Sequence, residues 1–248
     1  MKLPETYIFS TKLNCISFTE VIDQIRLAIA NKSKLFLFPM NVHILVELSK
    51  NIRFRYFHNR DGVIFTDGLP LVWLSYLTSN KIPERISGTS LVDKILKVFK
   101  HIYMIGPDNE TFAIIKKKYQ FNNEQMLAGY CSPPYADEWE EKINKQIIEN
   151  INQSKAEIVL VGVGPLKQEK WILKYASKTN AKIFIAVGSA FEIISGKRPR
   201  APVWMQNSGL EWLWRMILEP KRLIPRYIKD MFRLFYLMFQ FVVAKITF

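Results

Sequence analysis

Short apolar runs alternate along the chain with longer segments in which apolar residues recur at helical spacing. The apolar runs predict strands at residues 34–38, 62–65, 101–106, 156–164 and 181–188, with a further short strand near Met126 to Gly129. The intervening segments predict helices at 17–30, 41–50, 89–100, 109–119, 138–151 and 167–178. Strands that alternate with helices of this length form βαβ units, so we expect an α/β fold with a Rossmann-like, mainly parallel sheet flanked by helices.

The alternation stops near Gly196, and the remaining segment is basic, aromatic and helical in its last half. We therefore predict an α/β catalytic domain at 1–196 and a C-terminal appendage at 197–248. The appendage contains ten Lys and Arg residues against three acids, which is +7 of the chain's formal net charge of +13. A net charge of this sign favours an anionic partner such as nucleic acid, an anionic lipid surface or a phosphorylated substrate.

The end of the appendage has the pattern of an amphipathic helix. Residues 234–244 are eleven apolar or neutral residues, too few to span a bilayer, and they follow Arg222, Arg226, Lys229 and Arg233. This pattern is typical of a helix that lies in the headgroup layer of an anionic membrane. The alternatives are a helix docked on the core and a contact in a homo-oligomer. Nucleic acid is disfavoured, because the apolar residues are too dense for a groove-reading face and no nucleic-acid motif is present.

The bulk composition is that of a globular protein, with 49% hydrophobic and 23% charged residues in 248. Cys15 and Cys131 are too few for a disulfide framework and lack metal-ligand spacing. The N-terminus has no apolar stretch of signal-peptide length, and the longest charge-free run is the thirteen residues 68–80. We expect a cytoplasmic protein, peripheral on the inner face of the plasma membrane.

Small or polar residues directly follow the predicted strands: Asn41, Asp67, Gly106, Gly162, Gly164 and Gly188. In a parallel sheet these positions converge on one rim, where ligands of α/β proteins bind. The glycines let the backbone approach a diphosphate, and the N-terminus of the helix at 167–178 offers free N–H groups, with Lys167 and Gln168 as further donors. The alternative is a tight turn whose Lys and Gln side chains are solvated.

The stretch VGVGPLKQEKW differs from the dinucleotide-binding fingerprint. Gly162 and Gly164 match its first two glycines, but Lys167 replaces the third, and no acidic residue stands at the spacing expected for a ribose contact. An NAD-dependent reductase is therefore disfavoured, and we expect no cofactor.

Asp67 follows the predicted strand at 62–65 and precedes Gly68 and Pro70. It suits the N-cap of the next helix, and it equally suits a base, because a carboxylate in a dry site can take a proton from a hydroxyl group. Arg85 could hold a phosphate or carboxylate through two hydrogen bonds, or it could be a solvated surface charge. No Asp-x-Asp pair occurs, so Arg, Lys and backbone donors, without a metal, would meet the charge of a leaving group. His43, His58 and His101 share no spacing and are read as structural.

Six stretches together resemble the WecG/TagA/CpsF family of bacterial glycosyltransferases. They occur in family order over nearly the whole chain: FPMNVHIL, TDGLPLVW, ERISGTSL, VGVGPLKQEKWI, AVGSAFEIISGKRPRAP and GLEWLWRMILEPKRLIPRY. The resemblance implies inverting, metal-independent transfer of a sugar from a UDP-sugar to a polyprenyl-diphosphate-linked sugar at the cytoplasmic leaflet, in cell-surface polysaccharide or teichoic-acid synthesis. N-acetylmannosamine is the leading expectation for the donor sugar.

The resemblance also assigns roles to individual residues. Asp67 matches the family's proposed catalytic base, and Asn41, Arg85 and Gln168 match substrate-binding positions. The appendage matches a segment that seats the enzyme on the membrane and closes over the site, and Arg215, Arg222 and Arg226 are expected to serve one or both of these roles.

Three residues depart from the family pattern. Pro39 replaces a Thr found in some members, and Ser189 and Glu192 replace Gly and Asp. These departures leave the donor sugar open. The alternative function is a non-catalytic, membrane-associated assembly protein that binds a nucleotide sugar.

Overall fold

The computed structural model describes residues 3–119 and 127–246, and within these it confirms the predicted Rossmann-like α/β fold. Six strands form one parallel sheet in the order β4-β3-β8-β7-β5-β6. They are β3 (Leu35–Met40), β4 (Val63–Thr66), β5 (Ile102–Ile105), β6 (Leu127–Cys131), β7 (Ile158–Val161) and β8 (Ile183–Ala186). The strand predicted near Met126 is β6, although Met126 itself lies outside the described residues.

Helices cover both faces of this sheet. The helices predicted from periodicity are α1 (Phe18–Ala30), α2 (Val42–Lys50), α5 (Gly88–Val98), α6 (Asn109–Tyr119), α7 (Glu141–Gln153) and α8 (Lys167–Tyr175). The structure adds α3 (Ile52–Asp61), α4 (Leu69–Ser75) and α9 (Ala190–Ser195), and in the first half of the appendage α10 (Val203–Asn207) and α11 (Glu211–Leu218). The helix predicted in the last half of the appendage is α12 (Pro220–Ile246). The Ser17–Glu20 pair forms a capping box at the start of α1.

An antiparallel hairpin precedes the sheet, formed by β1 (Glu5–Ile8) and β2 (Thr11–Asn14). The hydrophobic pattern does not predict it, because polar residues interrupt both strands (ETYI and TKLN), so neither is a continuous apolar run. Asn14 ties the hairpin to the sheet, since its side-chain oxygen accepts a hydrogen bond from the N–H of Ile64 in β4 (2.8 Å).

The sheet is apolar on both faces, as expected for parallel strands covered by helices. One face packs against side chains of α2, α4, α7 and α8, and the other packs against α1, α5, α6 and α9. The chain moves outward from β5 to β6 and in the opposite direction from β7 to β8, although β5 and β7 are neighbours. Such a reversal opens a crevice at the carboxyl ends of the two strands, which is where ligands of this fold bind.

The appendage returns to the α/β core through α12. Leu223, Leu234 and Leu237 of this helix are buried, and Leu234 belongs to the same core as α2. Asp230 is also buried and accepts a hydrogen bond from Nδ1 of His43 in α2 (2.9 Å). Across the described residues, no helix combines the length and apolar character that a bilayer span requires.

Candidate active site

Asp67 lies at the carboxyl end of β4, where its backbone N–H donates to the carbonyl of Met40 at the end of β3 (2.8 Å). Its side chain does not cap the helix that follows: Gly68 is the N-cap residue of α4, and Asp67 Oδ1 instead accepts from the N–H of Gly88 at the start of α5 (3.4 Å). The capping interpretation of Asp67 is therefore wrong for α4. The carboxylate lies at the rim of the sheet, at the N-terminal end of α5.

The surroundings of Asp67 raise the pKa of its carboxyl group above the ordinary value for an aspartate. Burial raises the pKa of the carboxyl, Arg215 and Arg85 lower it, Glu211 raises it, and the result is a pKa of about 6. The Asp67 side chain is 30% exposed, so solvent and ligands can reach it. A carboxyl group with this pKa is largely ionised at neutral pH, yet it is a stronger base than an ordinary aspartate.

Arg85 lies beside Asp67 because the N–H of Ile86 donates to the carbonyl of Thr66, the last residue of β4 (2.7 Å). The Arg85 side chain is 15% exposed, and its Nη1 is 3.9 Å from Asp67 Oδ1. It makes two closer contacts with the appendage. Nη1 donates to Glu211 Oε2 (2.7 Å), and Nη2 donates to the carbonyl of Gln206 (2.9 Å).

Asn41 is next to this group at the end of β3. Its side-chain oxygen accepts from the N–H of Ile44 (3.1 Å), so it caps α2. The exits of β3 and β4 are in close contact, since a Cβ added to Gly68 would lie 3.2 Å from the Cα of Asn41. Three predicted site residues, Asn41, Asp67 and Arg85, thus come together at one end of the rim.

A cleft of about 350 Å³ opens at the ends of β5, β7 and β8. Its lining includes Gly106, Gly162 and Gly188. Side chains would not fit at Gly106 and Gly162, whereas a Cβ at Gly188 would meet no atom of the described residues within 4 Å. A Cβ on Gly106 would lie 2.5 Å from the carbonyl oxygen of Gly162, and one on Gly162 would lie 2.8 Å from that of Gly188. The predicted convergence of these three glycines is confirmed, and their bare backbone lets a ligand approach closely.

Two basic residues at the start of the appendage line the same cleft. Lys197 donates to Asp108 (2.9 Å) and pairs with Glu110 (2.7 Å). Arg198 pairs with Glu192 (2.7 Å) and with Glu219 (3.1 Å). The hydrogen bond from Lys197 is the main cause that lowers the pKa of Asp108 to about 2. The cleft therefore contains two cations that are held by carboxylates.

The remaining predicted residues of the β7–α8 turn, Gly164, Lys167 and Gln168, are not among the residues that line this cleft. The Lys167 ammonium contacts the carbonyl of Ala136 and stands over the ring of Trp139 (4.0 Å). Gln168 is 2% exposed, and its side-chain oxygen accepts from the N–H of Gly188 (3.0 Å), which fixes the β8–α9 turn. Gly164 has a φ of 100°, and among the described residues no atom lies within 4 Å of an added Cβ.

Only one of the three predicted appendage arginines acts on Asp67 directly. Arg215 lies near enough to lower the pKa of the Asp67 carboxyl. Arg222 pairs with Glu219 (Nε to Oε2, 2.6 Å), and Glu219 also pairs with Arg198 of the cleft. The guanidinium of Arg226 stands over the ring of Tyr227 (5.4 Å).

A possible metal-ligand group lies between α2 and α12. Within residues 3–119 and 127–246, only the ligand atoms of His43, Glu47 and Asp230 come this close together, all within 4.8 Å. Two of these groups have protein partners, since His43 is hydrogen-bonded to Asp230 and Glu47 pairs with Lys50 (2.5 Å).

Sequence reasoning missed Glu211, Asp108, Lys197 and Arg198 as site residues. The basic stretch KRPR directly after α9 is a signal that could have indicated Lys197 and Arg198. Glu211 has no comparable signal, because its contact with Arg85 joins positions 126 residues apart.

Comparisons with known proteins found one matching family and several similar proteins. The family model described as "Glycosyl transferase WecG/TagA/CpsF family" matches residues 6–246. Two proteins of Staphylococcus aureus, from strains MRSA252 and NCTC 8325, are each 24% identical to the chain over 210 residues, which covers 82% of this chain and 81% of each relative. Both are named N-acetylglucosaminyldiphosphoundecaprenol N-acetyl-beta-D-mannosaminyltransferase.

Proposed function

Since this glycosyltransferase belongs to the WecG/TagA/CpsF family, we propose that it moves N-acetylmannosamine or a related hexose from a UDP-sugar to an undecaprenyl-diphosphate-linked sugar. The acceptor class is taken from the names of the two S. aureus relatives, which act on an N-acetylglucosaminyl diphosphoundecaprenol. The product belongs to cell-surface polysaccharide or teichoic-acid synthesis.

The environment of Asp67 is the observation on which this proposal rests. A base that activates a sugar hydroxyl must be ionised at neutral pH and accessible, and it works best when its pKa is near the working pH. The Asp67 carboxyl has a pKa of about 6 and lies at an open rim beside Arg85. Asp67 accepts the proton of the acceptor hydroxyl while that oxygen attacks the anomeric carbon of the donor. The bond from this carbon to the UDP oxygen breaks on the opposite face, so the configuration inverts.

The glycine-lined cleft is the proposed site of the UDP group. β4 and β8 stand on either side of β3, so their ends are two strand spacings, or about 10 Å, apart. A donor with its diphosphate over Gly162 and Gly188 extends its sugar along the rim toward Asp67. Lys197 and Arg198 stabilise the negative charge that develops on the leaving diphosphate, and the proposed reaction needs no metal ion.

The appendage is the proposed membrane contact, on the inner face of the plasma membrane. The residues of α12 opposite its buried side include Phe232, Phe235 and Phe239, which are 74%, 60% and 67% exposed. Lys229 and Arg233 lie close to these rings in the sequence, an arrangement suited to anionic headgroups. A homo-oligomer that covers the same face is the alternative outcome.

The direct test is release of UDP from a panel of UDP-sugars, with undecaprenyl-diphospho-N-acetylglucosamine as acceptor. We expect one UDP-N-acetylhexosamine to be turned over, with or without EDTA, and to give the opposite anomeric configuration by NMR. Binding of UDP without release from any donor would instead support the non-catalytic assembly protein.

A further inference from the structure

Arg85 is held mainly by the appendage and only secondarily by Asp67. Its Nη1 is 2.7 Å from Glu211 Oε2 and 3.9 Å from Asp67 Oδ1, so Glu211 is the closer carboxylate. Its Nη2 is engaged by the carbonyl of Gln206. These two contacts fix the plane and the position of the guanidinium.

Glu211 is well placed to act as this partner. It is the first residue of α11, where the helix dipole stabilises a negative charge, and its side chain is only 18% exposed. Arg215 follows one helical turn later, so α11 presents one negatively charged and one positively charged side chain to the rim. The groups that act on Asp67 are thus Arg85 from the α4–α5 loop, Glu211 and Arg215 from α11, and the N–H of Gly88 from α5.

The two carboxylates compete for one guanidinium. If Glu211 lost its charge, Arg85 would be free to move toward Asp67 and form a direct ion pair. A carboxylate in such a pair holds protons weakly and is a poor base.

We propose that Glu211 is a positioning residue, which draws Arg85 away from Asp67 and so leaves the Asp67 carboxylate free to accept the proton of the acceptor hydroxyl. This inference rests on the proposed role of Asp67 as the base. It means that the α/β domain needs the appendage to complete its catalytic group.

The test is the pH dependence of kcat for Glu211→Gln, which keeps the shape of the side chain and removes its charge. In the native enzyme kcat should rise as the pH passes about 6, where Asp67 ionises. In Glu211→Gln we expect the acid limb to move to lower pH by about one unit, because a negative neighbour is lost and Arg85 approaches. The plateau kcat should fall about tenfold with little change in the KM of the donor.

Two further variants separate positioning from a structural effect. Glu219→Gln removes the same charge from the appendage but not from the surroundings of Asp67, and its acid limb should stay in place. In an Arg85→Gln background, Glu211→Gln should add less than about a twofold effect, because Glu211 acts through Arg85. This second comparison remains decisive if the single variant is destabilised.

The possible failures are distinguishable. A folded Glu211→Gln enzyme with an unchanged acid limb overturns the role of Glu211 while leaving that of Asp67 intact. Full activity of Asp67→Asn overturns the proposed function itself.

Discussion

Two carboxyl groups near the rim have raised pKa values, but their surroundings differ. Asp67 is reached by solvent and lies among charged partners. Glu169, in the first turn of α8, is fully buried; Gln168 donates to its Oε1 (3.0 Å), whereas its Oε2 has no hydrogen-bond partner in the described part of the chain. Burial raises the pKa of Glu169 to about 7. The surroundings of Asp67 suit the proposed role as a base, whereas ionised Glu169 destabilises the fold.

Replacing Glu169 by Gln should therefore stabilise the protein at high pH. The folded state holds the Glu169 proton more tightly than the unfolded state, so the free energy of unfolding falls as the pH rises from about 4.5 to about 7, and the full loss of about 3 kcal/mol applies above that range. Glu169→Gln should raise the melting temperature at pH 8 and change it little at pH 5. Equal changes in the melting temperature at both pH values would contradict this prediction. The control is Glu149→Gln, at an exposed position of α7.

At the residue scale, the sequence predicts where a residue lies in the fold better than it predicts which side chains that residue contacts. Asn41, Asp67 and the three cleft glycines could be assigned to the rim because each directly follows an apolar run. The orientation of Lys167 toward Trp139 could not be predicted, because it depends on the β6–α7 loop. The Arg85–Glu211 pair depends on how the appendage folds back, which no local pattern encodes.

At the scale of elements, two of the strand ends that line the cleft, at Gly106 and Gly162, leave no room for a side chain. Gly106 has a φ of 118°, and an added Cβ would lie 2.5 Å from a carbonyl oxygen, whereas Gly164 has a φ of 100° and open space around that position among the described residues. We expect Gly164→Ala to cost about 1 kcal/mol from backbone strain alone, and Gly106→Ala to cost about 3 kcal/mol or more and to abolish UDP binding. Urea unfolding measures the loss of stability, and calorimetric titration measures the binding of UDP. Equal losses of stability in the two variants would contradict the steric collision at Gly106.

The strands and longer helices were predictable because their apolar patterns are strong. The strands β7 and β8 are continuous apolar runs, and α1, α5 and α7 have clear amphipathic periodicity. The pattern of α3 is weak: His58 is its only buried residue, so almost no apolar periodicity marks the helix. The hairpin of β1 and β2 is defined by pairing between two strands whose polar residues interrupt any apolar run.

At the scale of the whole molecule, the appendage contacts the candidate site through α11 and exposes an apolar face to solvent on α12. Truncation after Gly196 would remove Glu211 and Arg215 together with α12, so a loss of activity would not identify the cause. Point variants on the outer face of α12 separate these roles, because the buried side of the helix and α11 stay intact.

We expect the triple variant Phe232→Ser, Phe235→Ser, Phe239→Ser to bind anionic vesicles at least about tenfold more weakly, since each phenyl ring contributes roughly 1.5 kcal/mol or more on burial. Its turnover of a short-chain, water-soluble acceptor should be close to that of the native enzyme. Leu27→Ser, at an exposed apolar position of α1, is the control. Unchanged sedimentation of the triple variant with vesicles would mean that α12 is not the membrane contact.

The whole account depends on Asp67 being the group that removes a proton from the acceptor. The most direct measurement is the steady-state rate of UDP release by purified Asp67→Asn, whose fold is checked by circular dichroism, across pH 5 to 8. The account predicts that kcat falls by about 10²–10⁴-fold, that the KM of the UDP-sugar changes little, and that the acid limb near pH 6 disappears. A folded Asp67→Asn enzyme that releases UDP at a near-native rate, with the acid limb still in place, would contradict it.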